Sequence, residues 1–166
     1  MMRLVRGLIP ILLLSATITG AQENRVSSLI AKDFGIYESD IEMKEPPATD
    51  GVGHNRITNV RLVKETRTVP MRKGIEFGFS YAIAGTPNGS MAPLRIVMLY
   101  PPSGIVRPGA QQPVRRSEYT APKRIGDWLF LVYSLDEDRE LIPGDWTFEI
   151  WFENRKLTSQ TFTVVE

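Results

Sequence analysis

The sequence predicts an antiparallel β-sandwich, and three observations lead to that prediction. Apolar and polar residues alternate along several segments, which is the period of a strand with one buried face. Clusters of Pro, Gly, Asn and Asp separate these segments, as expected of turns between short strands. No stretch sustains the 3.6-residue period of an amphipathic helix. These features together predict an all-β chain.

About seven strands are expected. Alternation is clearest in residues 74–85 and 146–153, and the apolar positions there predict a core that contains Phe77, Phe79, Tyr81, Trp146, Phe148 and Ile150. Residues 35–45 show the same period, with Tyr37, Ile41 and Met43 on the apolar side. The remaining predicted strands are residues 57–69 (with a bulge near Val63), 94–100, 128–135 and 157–165.

The number and spacing of these strands favour a sandwich of immunoglobulin-like type. The alternative is an up-and-down β-barrel, which would need about eight strands around a ligand cavity. Residues 101–127 contain five prolines and show no clear period. We expect a long crossing loop there, with room for one edge strand at residues 114–119.

The first 21 residues have the pattern of a secretory signal peptide. Arg3 and Arg6 form a basic head, an apolar run follows to residue 18, and small residues end at Ala21. The run is shorter than the roughly 20 apolar residues that span a membrane. We therefore expect cleavage after Ala21, a mature single domain of residues 22–166, and a periplasmic or secreted location.

Composition excludes several classes of function. The chain has no cysteine, so disulfides, thiolate catalysis and cysteine zinc sites are ruled out. Loss of the leader changes the formal net charge from +1 to −1, which argues against nucleic acid as a partner. No Gly-x-Ser-x-Gly motif accompanies the single histidine, His54, so no serine triad is predicted. We expect a protein that is not an enzyme, with no catalytic residue, metal or cofactor.

Two alternatives to this expectation remain. The first is a small-molecule or metal (copper) carrier. Copper would bind through His54 with thioether ligands, and the mature chain offers Met43, Met71, Met91 and Met98. Met43 and Met98 lie on apolar strand faces, however, and His54 is more simply a surface-loop residue. A carboxylate-dependent hydrolase would need a pair of acids across a cleft. The acidic residues 136–140 are instead typical of a solvated turn, without the ligand spacing of a calcium loop.

A candidate binding surface combines one tryptophan with a basic segment. Trp151 has polar neighbours in phase, so alternation places its indole on the outer face of its sheet. Tryptophan is enriched at binding centres. Arg115 and Arg116 lie in the basic region 101–124. Either residues 101–127 cover Trp151, or an envelope protein or glycan binds Trp151 together with these arginines.

Two resemblances complete the picture. Residues 141–150, Leu-Ile-Pro-Gly-Asp-Trp-Thr-Phe-Glu-Ile, resemble the Pro-Gly corner before the penultimate strand of fibronectin type III and related immunoglobulin-like modules. Residues 34–38, 74–81 and 144–148 together resemble a family of small exported bacterial proteins catalogued as a domain of unknown function. This resemblance implies a bacterial setting and no catalytic residues. The function expected is a non-catalytic binding or assembly module of the bacterial cell envelope.

Overall fold

The computed structural model describes residues 25–43, 56–109 and 111–166. These residues form nine strands and one short 3-10 turn, Asp138–Glu140. The strands are β1 (Arg25–Met43), β2 (Arg56–Lys64), β3 (Thr68–Pro70), β4 (Glu76–Thr86), β5 (Met91–Leu99), β6 (Arg116–Arg124), β7 (Trp128–Ser134), β8 (Gly144–Phe152) and β9 (Arg155–Val165).

The strands form two sheets that pack face to face. The four-stranded sheet has the order β2-β1-β4-β7, and the five-stranded sheet has the order β3-β9-β8-β5-β6. All pairings are antiparallel except that of β3 with β9. The predicted antiparallel sandwich is confirmed. The barrel alternative is wrong, because the described strands form two separate sheets rather than one closed sheet.

An aromatic core joins the two sheets. Phe77 of β4 lies 5.9 Å from Trp146, 5.6 Å from Phe148 and 5.6 Å from Phe162, measured between ring centroids. The six core residues predicted from alternation are all at most 1% exposed, which confirms the predicted phase of β4 and β8. Ring pairs at these separations add to the stabilisation that burial of apolar surface provides.

The Pro-Gly corner before β8 has the form that its resemblance implies. Gly144 has φ +119°, a conformation that glycine adopts without a Cβ penalty. Trp146 is fully buried beneath the corner, and its indole N–H donates to the carbonyl oxygen of Ile142 at 3.2 Å. The corner therefore fixes the point at which β8 enters the sandwich.

The prediction of a single strand over residues 57–69 is wrong. β2 ends at Lys64 in the four-stranded sheet, and the chain crosses to the other sheet, where β3 pairs with β9. Val69 is fully buried in the core, whereas Val63 is half exposed. The bulge predicted near Val63 is confirmed, because Ile36 pairs with Lys64 and Tyr37 pairs with Leu62, which leaves Val63 as the extra residue of β2.

The first strand is longer than predicted and is only partly covered. β1 begins at Arg25 rather than at residue 35. The prediction missed its first part because register shifts against β4 interrupt the alternation of apolar and polar residues before Phe34. Beyond Tyr37 it pairs with β2 alone, so this two-stranded extension projects past the sandwich. Ile41, placed on the apolar side by its period, is 45% exposed because it lies in this extension.

The region 101–127 contains a full edge strand rather than a long loop. β6 extends to Arg124, well past the residues 114–119 that were considered for a strand, and pairs with β5 throughout. The prolines of this region led sequence analysis to expect a loop, although an edge strand tolerates proline at positions that need no backbone donor.

No helix among the described residues is long and apolar enough to cross a membrane. The predicted signal peptide and His54 lie outside the described residues.

Candidate functional site

The outer face of the five-stranded sheet carries a group of side chains that we name the Trp151 cluster. Its members come from four neighbouring strands and are joined by ion pairs, hydrogen bonds or cation–ring contacts. They are Arg95 of β5, Arg116 and Glu118 of β6, Glu149 and Trp151 of β8, and Lys156 of β9.

Trp151 occupies the centre of the cluster. As predicted, it points away from the core, because the inward positions of β8 are Trp146, Phe148 and Ile150. Its indole is half-buried. The guanidinium carbon of Arg95 lies 4.8 Å from the ring centroid, and the ammonium of Lys156 lies 5.5 Å from it. Both cations lie within the range of favourable cation–π contact.

The sequence left two interpretations of Trp151 open: residues 101–127 cover the indole, or a partner binds it. The cations beside the indole come from β5 and β9, the strands on either side of its own. Neither cation belongs to residues 101–127, the segment proposed as a cover. The indole is therefore held by the sheet that carries it, with part of its surface open to solvent.

Glu149 anchors the cluster to the sheet. Its side chain accepts hydrogen bonds from the indole N–H of Trp151 and from the ammonium of Lys156, each at 2.9 Å. Glu149 is only 9% exposed, so burial alone would raise its pKa. The two hydrogen bonds and the charges of Lys156 and Arg116 outweigh burial and lower the pKa below its usual value. The carboxylate is therefore ionised at neutral pH.

Arg116 and Glu118 extend the cluster to the sheet edge. Glu118 accepts from Arg116 at 2.5 Å and from Arg95 at 3.3 Å. The hydrogen bond from Arg116 is the main reason that the pKa of Glu118 is lowered. Val97 lies between Glu118 and Glu149 in the sheet register and is only 1% exposed, although it points outward. The charged side chains thus overlie an apolar position.

Arg115 does not join the cluster. It precedes β6, and its Nε donates to the carbonyl oxygen of Pro102 at 2.6 Å. Its own carbonyl accepts from the backbone N–H of Tyr100. Of the three predicted binding residues, the structure brings together Trp151 and Arg116 and places Arg115 in the neighbouring turn.

Four cluster members were missed by sequence reasoning: Arg95, Glu118, Glu149 and Lys156. Lys156 could have been found from the sequence, because the tight turn after Phe152 places it opposite Trp151 in the predicted hairpin. Arg95 comes from a strand distant in sequence, and only the pairing of β5 with β8 places it opposite Trp151.

The outer face of the four-stranded sheet carries a second polar group. Asp33 accepts hydrogen bonds from the hydroxyls of Tyr37, at 2.7 Å, and Ser80. Burial acts to raise the pKa of Asp33, but these two bonds and nearby Lys32 lower it overall. Burial and the Asp33 charge raise the pKa of Tyr37. Sequence analysis placed Tyr37 on the apolar side of its strand and predicted no functional role for Asp33, Tyr37 or Ser80.

Glu76 lies on the same face, and its pKa is raised whereas that of Asp33 is lowered. Burial is the main reason that its pKa is raised, and the hydroxyl of Ser39 donates to its Oε1 at 3.0 Å. Its Oε2 is buried and has no hydrogen-bond partner among the described residues. Asp33 and Glu76 are thus two carboxyls whose pKa values are shifted in opposite directions.

The residues considered for metal binding are dispersed. Met98 is buried in the core as predicted, Met71 packs at its margin and Met91 is 44% exposed. Of the acidic residues 136–140, Glu140 accepts from two backbone N–H groups and from Tyr133. Within residues 25–43, 56–109 and 111–166, no group of three or more His, Cys, Asp or Glu side chains is arranged to hold a metal ion.

Comparison with known proteins places the chain in a family. Residues 25–164 match the model of a family described as "Domain of unknown function (DUF3859)". The chain belongs to this family. The resemblance to a family of unknown function is therefore confirmed, and the DUF3859 match covers all nine described strands except the last residue of β9, and the whole Trp151 cluster.

The fold has a solved relative. The crystal structure of an immunoglobulin-like protein from Pseudomonas aeruginosa aligns with a TM-score of 0.55 and 24% sequence identity, over 88% of this chain and 100% of that one. At this identity the likeness shows the fold alone, and it confirms the immunoglobulin-like type. No functionally curated protein matches the chain.

Proposed function

We propose that this chain is a non-catalytic binding or assembly module of the bacterial cell envelope, and that the Trp151 cluster is its binding surface. One observation carries the proposal. A half-buried indole on an outer sheet face is held in a fixed position by two cations and by a hydrogen bond to Glu149. A surface that is ordered before binding loses less entropy when a partner binds.

The charges of the cluster indicate the chemistry of the partner. Three cations and two carboxylates leave an excess of one positive charge around the indole. Arg116 and Lys156 are both exposed. An envelope protein or glycan that carries anionic groups would complement this surface, with the open part of the indole as its apolar contact.

The state of the two carboxylates favours binding over catalysis. Glu118 and Glu149 both have lowered pKa values and both accept hydrogen bonds from cations. A general acid needs a raised pKa, and a general base needs a lone pair directed at substrate. Both groups instead serve to fix Arg95, Arg116 and Lys156 in place.

The envelope location rests on residues 1–21. Their basic head, apolar run and small final residues support export and cleavage after Ala21. Intact mass of the protein recovered from the periplasmic fraction tests this point. The expected chain begins at Gln22, and retention of residues 1–21 would refute the location and leave the binding surface to be tested separately.

A matched pair of tryptophan variants tests the binding surface. Trp151→Ala removes the indole from the cluster, and Trp128→Ala removes an exposed indole from the other sheet. Each protein is immobilised and exposed to periplasmic extract and to sedimented cell-wall glycan. We expect material bound by the wild type to be retained by Trp128→Ala and lost by Trp151→Ala, with weaker binding at high salt. Equal capture by Trp151→Ala would refute the proposal.

A carboxylate-dependent hydrolase is a second candidate, and one observation favours it. The opposite pKa shifts of Asp33 and Glu76 on one sheet face resemble the separation between a catalytic acid and base. A screen of envelope glycans and esters with wild type and Glu76→Gln tests it. Hydrolysis that disappears in Glu76→Gln would replace the binding proposal, and hydrolysis that persists would exclude this pair.

A further inference from the structure

Four strands form the edges of the two described sheets, and three of them carry features that discourage pairing with another chain. β3 has only three residues and ends at Pro70. β6 contains Pro122 and several charged residues. β2 contains charged residues and Asn59 in a left-handed conformation, with φ 51°. Short length, proline, charge and backbone irregularity are the usual protections of an edge strand.

β7, the fourth edge, has none of these protections. Its sequence is Trp-Leu-Phe-Leu-Val-Tyr-Ser, seven residues without charge or proline, and it pairs in full register with β4. Trp128 and Phe130 on its outer face are 54% and 40% exposed, and Ile30 on the same sheet face is 53% exposed. Among the described strands, β4 is the single neighbour of β7.

The register shows which backbone groups face the free edge. Leu135 donates to the carbonyl oxygen of Ile75, so this position forms a hydrogen-bonded pair with the β4 side. Such pairs alternate along an antiparallel ladder. Leu129, Leu131 and Tyr133 therefore bond to β4, and the N–H and C=O groups of Phe130 and Val132 are directed toward the open edge.

We propose that a second copy of this chain pairs with that edge, so that two β7 strands run antiparallel across a two-fold axis at Leu131. In this register Phe130 lies opposite Val132 of the copy, and Trp128 lies opposite Ser134. Side chains that face outward meet outward-facing ones, as one continuous sheet requires. The pairing would join two four-stranded sheets into one, and it does not depend on the Trp151 cluster.

Charge at the two ends of β7 favours a copy over an unrelated strand. At its start, the exposed ammonium of Lys32 lies 5.9 Å from the ring centroid of Trp128, whereas Arg124 is paired with Asp127 at 3.7 Å. Beyond its end, Asp136 accepts a hydrogen bond from Ser134, while Glu137 and Asp138 are paired with Arg139 and Lys73. Because Trp128 lies opposite Ser134 of the copy, an antiparallel pairing brings Lys32 of each chain beside Asp136 of the other, twice. Such complementarity selects the partner and its orientation.

The test compares charges introduced on two edges. The protein, purified from cells that express the full chain, is compared with Trp128→Lys, with Phe130→Lys, and with Thr120→Lys on the protected edge β6. Mass in solution is measured by light scattering, and circular dichroism verifies folding. We expect twice the mass of one chain for the wild type and Thr120→Lys, and the mass of one chain for the two β7 variants.

Amide hydrogen exchange identifies the surface and remains informative if the β7 variants fail to fold. We expect the amides of Phe130 and Val132 to be protected in the wild type and to exchange faster when dilution lowers the dimer fraction. A wild type with the mass of one chain at every soluble concentration would overturn the proposal. A dimer whose Phe130 and Val132 amides exchange freely would overturn it as well.

Discussion

Replacement of Trp151 by alanine is the perturbation that most directly tests the described geometry. The change removes an indole that contacts Arg95 and Lys156 and donates to Glu149. It leaves the core face of β8 unaltered. The effect on the free energy of unfolding therefore measures what the outer-face contacts contribute.

The expected loss follows from those contacts. Each cation–ring contact at a partly exposed site contributes about 0.5–1 kcal/mol. A hydrogen bond to a charged group contributes about 1.5–3 kcal/mol, part of which water restores at this half-open site. We expect Trp151→Ala to lower the free energy of unfolding by about 2–3 kcal/mol. For a domain of this size, the melting temperature should fall by roughly 4–12 °C.

Urea unfolding followed by circular dichroism is the assay, with two further variants as controls. Trp151→Phe keeps a ring between the cations but deletes the N–H, so about half of the loss is expected. Val63→Ala, at a half-exposed side chain of the other sheet, should cost less than about 0.5 kcal/mol. A Trp151→Ala protein within about 0.5 kcal/mol of the wild type would show that these contacts contribute nothing, and the reasoning would fail.

The other predictions concern the core, the buried carboxylate and a close strand approach. Phe77→Ala should cost about 3–5 kcal/mol in urea unfolding, against less than about 0.5 for exposed Val63→Ala; equal losses would contradict the core assignment. The pKa of Glu149 is lower in the folded state, so its contribution is present above the unfolded value near 4.3 and is lost as pH falls through the folded value. Glu149→Gln should flatten the stability–pH curve in that acid range, and an unchanged slope would argue against the shift. In Gly78→Ala the new Cβ would lie 2.0 Å from the carbonyl oxygen of Leu131, so a loss above about 2 kcal/mol is expected, and an unchanged melting temperature would refute the close approach.

Alternation predicts β4 and β8 closely because each has one face in the core for its whole length. The apolar phase of both strands was assigned correctly, down to the six residues that are almost fully buried. The Pro-Gly corner was equally informative, since the geometry it needs depends on local residues alone. In these segments local sequence and tertiary packing impose the same pattern.

The pattern fails where tertiary contacts change along a strand. β1 pairs with β4 and then with β2 alone, so one continuous strand passes from a covered to an uncovered environment. β2 and β3 form a continuous β-rich stretch in sequence, yet they belong to different sheets. No local signal records which sheet a strand joins, because that choice depends on partners distant in the chain.

The candidate site shows the same limit at the level of single residues. Arg115 and Arg116 were grouped because they are adjacent and basic, but adjacent side chains at a strand point to opposite sides. Arg116 faces the Trp151 cluster and helps to keep Glu149 ionised, while Arg115 is bound to the backbone of Pro102. The charge of a β-rich segment therefore has to be counted face by face. Counted in that way, the region after Pro101 contributes to the cluster through one strand edge, and the cation nearest the indole comes from β5.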